Sequence, residues 1–139
     1  MNKDEELNRY MVQIEQYKEQ MGQLEMQFQY IHATLADYNK AKMTLENLSN
    51  ADVGSEVLVP IGGGAFIGAT AKNTSKVLMD IGGNIVTEKT PEDAIKKIDE
   101  RLENLEKTQE KMNEMMQNLQ NEATEISAKA QKIISEQQG

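Results

Sequence analysis

Three features of the sequence have residue types that could support chemistry: a glycine-rich stretch, a single histidine and an aspartate within an apolar run. The stretch GGGAFIGAT, residues 62–70, has the glycine content of a loop that binds phosphate through backbone amides. No Gly-Lys-Ser/Thr follows, and the next residues resemble a strand, which leaves no helix N-terminus for a phosphate. We therefore interpret these glycines as a hairpin turn.

The histidine and the aspartate are equally isolated. His32 is the only histidine, and no group of metal-ligating residues surrounds it in sequence, so we predict a position on the helix surface or beside the seam. Asp80 interrupts a predicted strand with no second carboxylate or base opposite it, and we interpret it as protection of a strand edge. The sequence predicts no catalytic residue, no metal site and no cofactor. An enzyme is the least favoured class.

Composition narrows the remaining classes. The 139 residues are enough for one domain, but aromatic residues are 4% of the chain and Trp is absent, so a large globular core is hard to fill. The net charge of −8 argues against nucleic acid as a partner, because binding to phosphates needs clustered Lys and Arg. The N-terminal residues lack the apolar run of a signal peptide, and no segment approaches a membrane span. We expect a cytoplasmic protein that contacts no membrane.

Two segments repeat apolar residues at alternating steps of three and four, which is typical of helices in a left-handed coiled coil. We call these two series the seams. The first consists of Leu7, Tyr10, Ile14, Tyr17, Met21, Leu24, Phe28, Ile31, Leu35, Tyr38, Lys42 and Leu45. The second consists of Ile95, Ile98, Leu102, Leu105, Gln109, Met112, Met116, Leu119, Ala123, Ile126, Ala130 and Ile133. Lys42 and Gln109 are the polar breaks.

The ends of both helices are also indicated. Polar residues and a glycine between Asn47 and Gly54 predict that the first helix ends near Ser49, while Thr90 and Pro91 are typical of the cap and first turn of the second. If the helices fold back antiparallel without stagger, partners have residue numbers that add up to 140. The fold predicted is mainly α: residues 1–50 and 91–139 form one antiparallel coiled-coil domain, and residues 51–90 form two β-hairpins for oligomerisation.

The segment between the helices alternates like short strands joined by glycine turns. We predict one four-stranded sheet with strands at residues 56–61, 65–71, 76–81 and 84–89. Both faces carry apolar residues, and so small a sheet cannot cover two faces or its own edges. We expect strands of other subunits to complete it as an intersubunit β-barrel. The predicted oligomerisation residues are Val57, Leu58, Val59, Ile61, Phe66, Ile67, Val77, Leu78, Met79, Ile81, Ile85 and Val86.

Several methionines lie off the seams, among them Met11, Met26, Met43 and Met115. They are either filler, since methionine is a good helix former, or an adaptable apolar surface for many sequences. More off-seam apolar residues occur near the free helix ends, where Met11 and Val12 follow Tyr10 and Ile134 follows Ile133. Seam residues there are either packed or splayed apart by fraying of the ends.

Helix, two glycine-turn hairpins and helix together resemble a prefoldin subunit, over essentially the whole chain. The most specific segments are VLVPIGGGAFIGA, residues 57–69, and DIGGNIVTEKTPEDAI, residues 80–95. Two hairpins resemble the archaeal-type α class, because β-class subunits carry one. The resemblance implies a hexamer of two α and four β subunits whose hairpins form a double β-barrel from which six coiled coils hang. It further implies an ATP-independent chaperone that holds unfolded proteins at the coiled-coil tips and passes them to a group II chaperonin.

Carried onto this chain, the resemblance gives the tip residues the role of binding client proteins. These residues are Leu7, Tyr10, Met11, Val12, Ile14, Ile126, Ile133 and Ile134. The alternative is a structural coiled-coil protein that assembles through its hairpins into a scaffold or filament and binds no client at its tips. The two alternatives differ in the mass of the assembly formed with a β-class subunit.

Overall fold

The computed structural model describes residues 2–138 and contains two long helices with two β-hairpins between them. In chain order the elements are α1 Lys3–Ser49, β1 Glu56–Gly62, β2 Ala65–Thr70, β3 Val77–Gly82, β4 Ile85–Lys89 and α2 Pro91–Gln138. The predicted fold class is confirmed in its helices and hairpins. Met1 and Gly139, the outermost residues of the expected coiled-coil domain, lie outside the described residues, and the division into domains stays a prediction.

Local hydrogen bonds explain where the helices begin and end. At the start of α1, Asn2 Oδ1 accepts a hydrogen bond from the Glu5 amide at 2.8 Å. At the start of α2, Thr90 Oγ1 accepts one from the Asp93 amide at 3.2 Å, as the sequence predicted. At the end of α1, Asn50 Nδ2 donates to the Glu46 carbonyl at 3.1 Å, which satisfies an acceptor that the helix leaves free.

The chain divides into two compact units. The first contains α1 up to Thr34 and α2 from Leu105 onward, and the second contains Leu35–Asn104 with both hairpins. In the first unit the buried apolar residues are Leu24, Ile31, Met112, Ala130 and Ile133, and in the second they are Ala94, Ile98 and Leu102. All of these except Ala94 belong to the predicted seams. Every other seam residue is half-buried, as expected where each helix packs along one stripe.

Cross-helix contacts in the first unit fix an antiparallel register. Lys3 pairs with Glu136, and the phenol of Tyr17 hydrogen-bonds Glu122; the residue numbers add up to 139 for each pair. Gln137 donates to Asp4, and the side chains of Gln109 and His32 meet at 3.5 Å; here the numbers add up to 141. The values lie on either side of 140, so the predicted zero-stagger register is confirmed in this unit.

The second unit has the same helix register. Lys42 pairs with Asp99, and the guanidinium of Arg101 lies over the ring of Tyr38, so the numbers add up to 141 and 139. In a zero-stagger register Lys42 lies opposite Ile98. Its ion-pair partner, Asp99, is the next residue along α2. In the first unit, the polar seam residue Gln109 meets His32, one residue beyond Ile31, in the same way.

The four strands form two separate antiparallel hairpins, so the prediction of a single four-stranded sheet is wrong. Strand β1 pairs with β2, and β3 pairs with β4, each in its own two-stranded sheet. The reason is local. Ala71 exchanges hydrogen bonds with Gly54 and Ser55, which extends the first hairpin beyond β2. Asn73 then accepts hydrogen bonds from the amide and hydroxyl of Ser75, which form a side-chain turn in the loop that leads to β3.

Both hairpins close with the same device. The central turn residues have positive φ, 60° and 77° at Gly63 and Gly64, and 60° and 62° at Gly83 and Asn84, as a type I′ turn requires. In each hairpin the pairing shifts by one residue just before the turn, at Ile61 in the first and at Ile81 in the second. Such a bulge increases the local twist and bends the strand just before the turn.

Candidate functional site

The two hairpins carry most of the exposed apolar surface of their unit. Side chains alternate between the two faces along each strand, and apolar side chains therefore lie on both faces. In the first hairpin Val59 is paired with Ile67, and in the second Asp80 is paired with Val86. The exposed ones have between 45% and 70% of their surface accessible and are Leu58, Val59, Ile61, Phe66, Ile67, Leu78, Ile81, Ile85 and Val86. So many exposed apolar residues on short strands are typical of a protein–protein contact.

Three other predicted oligomerisation residues lie against the chain's own helices. Val57 and Val77 are half-buried and line a cavity of ≈ 180 Å³ with Leu45, Leu48 and Pro91. Met79 is half-buried beside a larger groove in the same unit. The helix ends therefore already cover part of one face of each hairpin. The sequence did not indicate this, because alternation shows which residues share a face and not what covers that face.

The backbone edges of the hairpins are a second part of the candidate site. Within residues 2–138, β2 pairs only with β1, and β3 pairs only with β4. One edge of each strand therefore keeps its amides and carbonyls without a strand partner. Such edges pair readily with further strands. Pro60 lies on β1 opposite Phe66 and supplies no amide at its own position.

The free helix ends form the other candidate site, and the structure separates its residues into two groups. Met11 and Val12 are exposed, by 49% and 57%, on one side of α1, next to Asn8 and Glu15. The remaining predicted residues pack in or beside the seam. Ile133 is buried, and the half-buried ones are Leu7, Tyr10, Ile14, Ile126 and Ile134. The seam is therefore closed near its end, and Met11 and Val12 are the accessible apolar residues of the group.

Polar contacts hold the free ends together. Lys3 Nζ lies 3.0 Å from Glu136 Oε2, and Gln137 Nε2 donates to Asp4 Oδ1 at 2.8 Å. The hydrogen bond and the positive charge from Lys3 lower the pKa of Glu136 below its ordinary value. Farther along the same unit, burial in the seam and then the nearby charge of Glu122 raise the pKa of Tyr17. Its neutral phenol is thus favoured over the phenolate beside Glu122.

The isolated polar residues show no catalytic arrangement. His32 is exposed, and its Nε2 lies 3.5 Å from the amide nitrogen of the seam residue Gln109. The carboxylate of Asp80 accepts the Gly82 amide at 2.8 Å and so helps to shape its own hairpin turn, while its protection of a strand edge stays a prediction. Among residues 2–138 no three His, Cys, Asp or Glu side chains are placed to hold a metal ion. No helix in that part of the chain is long and apolar enough to span a membrane.

Exposed apolar residues also occur along the helices, away from both candidate sites. Met26, Met43 and Met115 are exposed, as their off-seam positions indicated, and so is Tyr30, at 73%. The exposure of Tyr30 was not predicted, although the sequence indicates it, because Tyr30 directly precedes the seam residue Ile31 and so lies off the seam. Each of these residues adds to the apolar surface of the helices.

A family model described as prefoldin subunit matches residues 17–136. One curated relative, prefoldin subunit alpha of Methanobrevibacter smithii (strain ATCC 35061 / DSM 861 / OCM 144 / PS), is 30% identical over 139 residues, which cover 100% of this chain and 94% of the relative. Prefoldin subunit alpha of Archaeoglobus fulgidus is 29% identical over 136 residues, covering 95% of this chain and 99% of the relative.

A solved structure shares the fold. The crystal structure of the prefoldin beta subunit from Thermococcus strain KS-1 matches with a TM-score of 0.59 at 17% identity, covering 91% of this chain and 90% of that one. At this identity the similarity concerns the fold alone. The arrangement of two long helices on either side of β-hairpins is therefore one that a solved structure already shows.

Proposed function

The chain belongs to the prefoldin family, whose members are chaperone subunits, and from this premise we propose that it works as an α-class subunit that captures unfolded proteins without ATP. In this proposal the hairpins join it to β-class subunits, the accessible residues near the free helix ends bind clients, and a group II chaperonin receives the client. The role is one of binding, with no catalysis, and the proposed compartment is the cytoplasm.

The proposal rests mainly on one observation, the exposure of the apolar faces of the hairpins. Two separate two-stranded sheets expose large apolar side chains and unpaired strand edges, while the helices cover only part of one face of each hairpin. Isolated hairpins are marginally stable, and strands added from other subunits would bury both the side chains and the edges. We propose that two copies of this chain and four β-class subunits close such a barrel.

Met11 and Val12 are the residues that we propose for first contact with a client. Both lie off the seam and are accessible, whereas the seam residues of the same unit are packed. Methionine in addition fits apolar partners of many shapes. The seam residues Leu7, Tyr10, Ile14, Ile126, Ile133 and Ile134 contribute to the same site only where the helix ends open. Several such ends in one assembly bind a single client more tightly than one end does.

The mass of the assembly formed with a β-class prefoldin subunit tests the proposal. We expect a closed particle with two copies of this chain and four of the partner, measured by light scattering and native mass spectrometry. The same particle is expected to suppress aggregation of a chemically unfolded protein without ATP. Open-ended growth without suppression would favour the scaffold alternative, and a chain that stays monomeric with the partner would contradict both functions.

A further inference from the structure

The second hairpin, β3 and β4, is loosely packed against the helices of its own unit. Val77 and Met79 are half-buried, but the side of β3 that faces the helices borders an open groove of ≈ 470 Å³. Ala41 and Leu45 of α1 and Ala94 and Ile98 of α2 form its apolar wall. Because close packing is what normally fixes the position of a strand, a directional contact beside such a groove adds to what holds the hairpin in place.

Arg101 of α2 provides such a contact. Its Nη2 donates a hydrogen bond to the backbone carbonyl of Asp80 in β3, with a donor–acceptor distance of 2.9 Å. Its guanidinium carbon lies 6.0 Å from the centre of the Tyr38 ring on α1, which is within the range of a cation–π contact. One half-buried side chain of α2 therefore contacts both β3 and α1.

Asp80 links this contact to the turn of the hairpin. Its carbonyl accepts from Arg101, while its carboxylate accepts the Gly82 amide at 2.8 Å. Gly82 has a φ of 113° and directly precedes the two turn residues with positive φ. The turn geometry and the attachment of the strand to α2 thus meet at a single residue, beside the bulge that redirects the strand.

We propose that Arg101 is a positioning residue that holds the second hairpin at a fixed orientation on its helices and so presents Leu78, Ile81 and Val86 correctly to a β-class partner. The part about the partner rests on the proposed function. A guanidinium suits this role because its planar group donates at its edge and stacks through its face. A lysine has the charge but lacks the planar face.

Hydrogen exchange in the isolated full-length chain tests the positioning. For Arg101→Ala we expect exchange of the amides in residues 77–89 to rise about tenfold, the effect of losing one hydrogen bond from a charged donor. Exchange in residues 56–70 and in both helices is expected to stay unchanged. Arg101→Lys is expected to have an intermediate effect, because it keeps the charge without the planar group.

Lys97→Ala is the matched control. Lys97 lies one turn before Arg101 on α2 and pairs with Glu100 on the same helix, at 3.6 Å, so its removal takes away a cation without affecting the hairpin. We expect it to leave exchange in residues 77–89 within twofold of the wild type. An Arg101→Ala variant that also stays within twofold would overturn the proposal, as would an equal rise in residues 56–70.

Binding of a β-class subunit tests the consequence for assembly. We expect Arg101→Ala to weaken this binding about tenfold by titration calorimetry, while thermal unfolding of the helices keeps its midpoint. Unchanged binding despite faster exchange would overturn the assembly part of the proposal. A wild-type chain that fails to bind the subunit would instead contradict the proposed function, and exchange in the isolated chain would still test the role of Arg101.

Discussion

Lys42 of α1 and Asp99 of α2 form an ion pair beside the seam, with Lys42 Nζ 2.8 Å from Asp99 Oδ1. The hydrogen bond to Asp99, and then its negative charge, raise the pKa of Lys42 above the ordinary value of 10.5. Lys42 is the one charged member of the first seam, and in the observed register its ammonium lies within ion-pair distance of Asp99. A charged residue at a seam position with a matching partner on the other helix contributes to specifying the register.

Replacement of Asp99 tests this pair. We expect Asp99→Ala to lower the midpoint of thermal unfolding at neutral pH by a few degrees. Because the pKa of Lys42 is raised in the folded chain, the stabilisation is present below 10.5 and is lost as the pH rises through the folded value. Thermal melts followed by circular dichroism from neutral pH to above pH 10.5 measure this. The difference in unfolding midpoint between the variant and the wild type should narrow above pH 10.5.

Glu100→Ala serves as the control for Asp99→Ala. Glu100 pairs with Lys97 on α2 alone, at 3.6 Å, so the variant removes a carboxylate from the same helix turn without affecting a contact between helices. Equal effects of the two variants at neutral pH would mean that the ion pair with Lys42 has no special role in fixing the register.

The pair between Lys3 and Glu136 makes the free helix ends sensitive to acid. Since Lys3 lowers the pKa of Glu136 below its ordinary value of 4.5, the pair stabilises the ends above 4.5 and loses its effect as the pH falls through the folded value. In Lys3→Gln we expect the pKa of Glu136 to return toward 4.5, measured by NMR titration of its carboxyl carbon. Lys18→Gln, which removes a pair within α1 at 3.7 Å, should leave it unchanged.

The buried seam residue Leu24 is expected to matter far more for stability than its exposed neighbour Met26. Leu24 is 6% exposed, so Leu24→Ala leaves a cavity and should lower the free energy of unfolding by about 2–3 kcal/mol. Met26 is 71% exposed, and Met26→Ala should change it by no more than about 0.5 kcal/mol. Urea unfolding followed by circular dichroism measures both, and similar losses would contradict the seam assignment.

The exposed hairpin face is expected to be essential for assembly and dispensable for the fold of the chain. Val59 and Ile67 lie directly opposite each other on β1 and β2, with 45% and 54% of their surface accessible. The double variant Val59→Asp, Ile67→Asp should keep its helix content because neither residue packs inside the chain. With a β-class subunit it should form nothing larger than a dimer, since burial of two carboxylates in a barrel is costly.

Thr70→Asp provides the comparison for that variant. Thr70 is exposed at the end of β2, opposite Glu56, so it adds a carboxylate to the same hairpin at a polar position. We expect this variant to form particles of the wild-type mass. A closed hexamer from the double variant would disprove the role of this face in the barrel.

The free ends are expected to bind clients without contributing to assembly. In Met11→Asp, Val12→Asp we expect particles of the normal mass that suppress aggregation of an unfolded protein at least several-fold less well. Both residues are exposed, by 49% and 57%, so the fold should tolerate the charges. Met43→Asp, at a position 62% exposed in the other unit, is the control, and an equal loss there would place the client site elsewhere.

The sequence by itself determined the helices and their ends, and it made a zero-stagger register the simplest assumption. Heptad spacing lies within each helix, and the caps at Thr90 and Pro91 act over one turn, so both are visible in adjacent residues. The zero-stagger pairing follows because apolar stripes of equal length bury the most surface when they match end to end. The structure agrees at Lys42 and Asp99 as well as at Lys3 and Glu136.

Only the tertiary structure decided how the strands are grouped and what holds them. Alternation within a strand is the same whether β2 pairs with β3 or not, and the outcome depended on hydrogen bonds of Ala71 and Asn73 in the connecting loop. The contact between Arg101 and Asp80 joins residues 21 positions apart on a helix and a strand. No periodic pattern records such a contact, because it arises from the angle at which two folded elements meet.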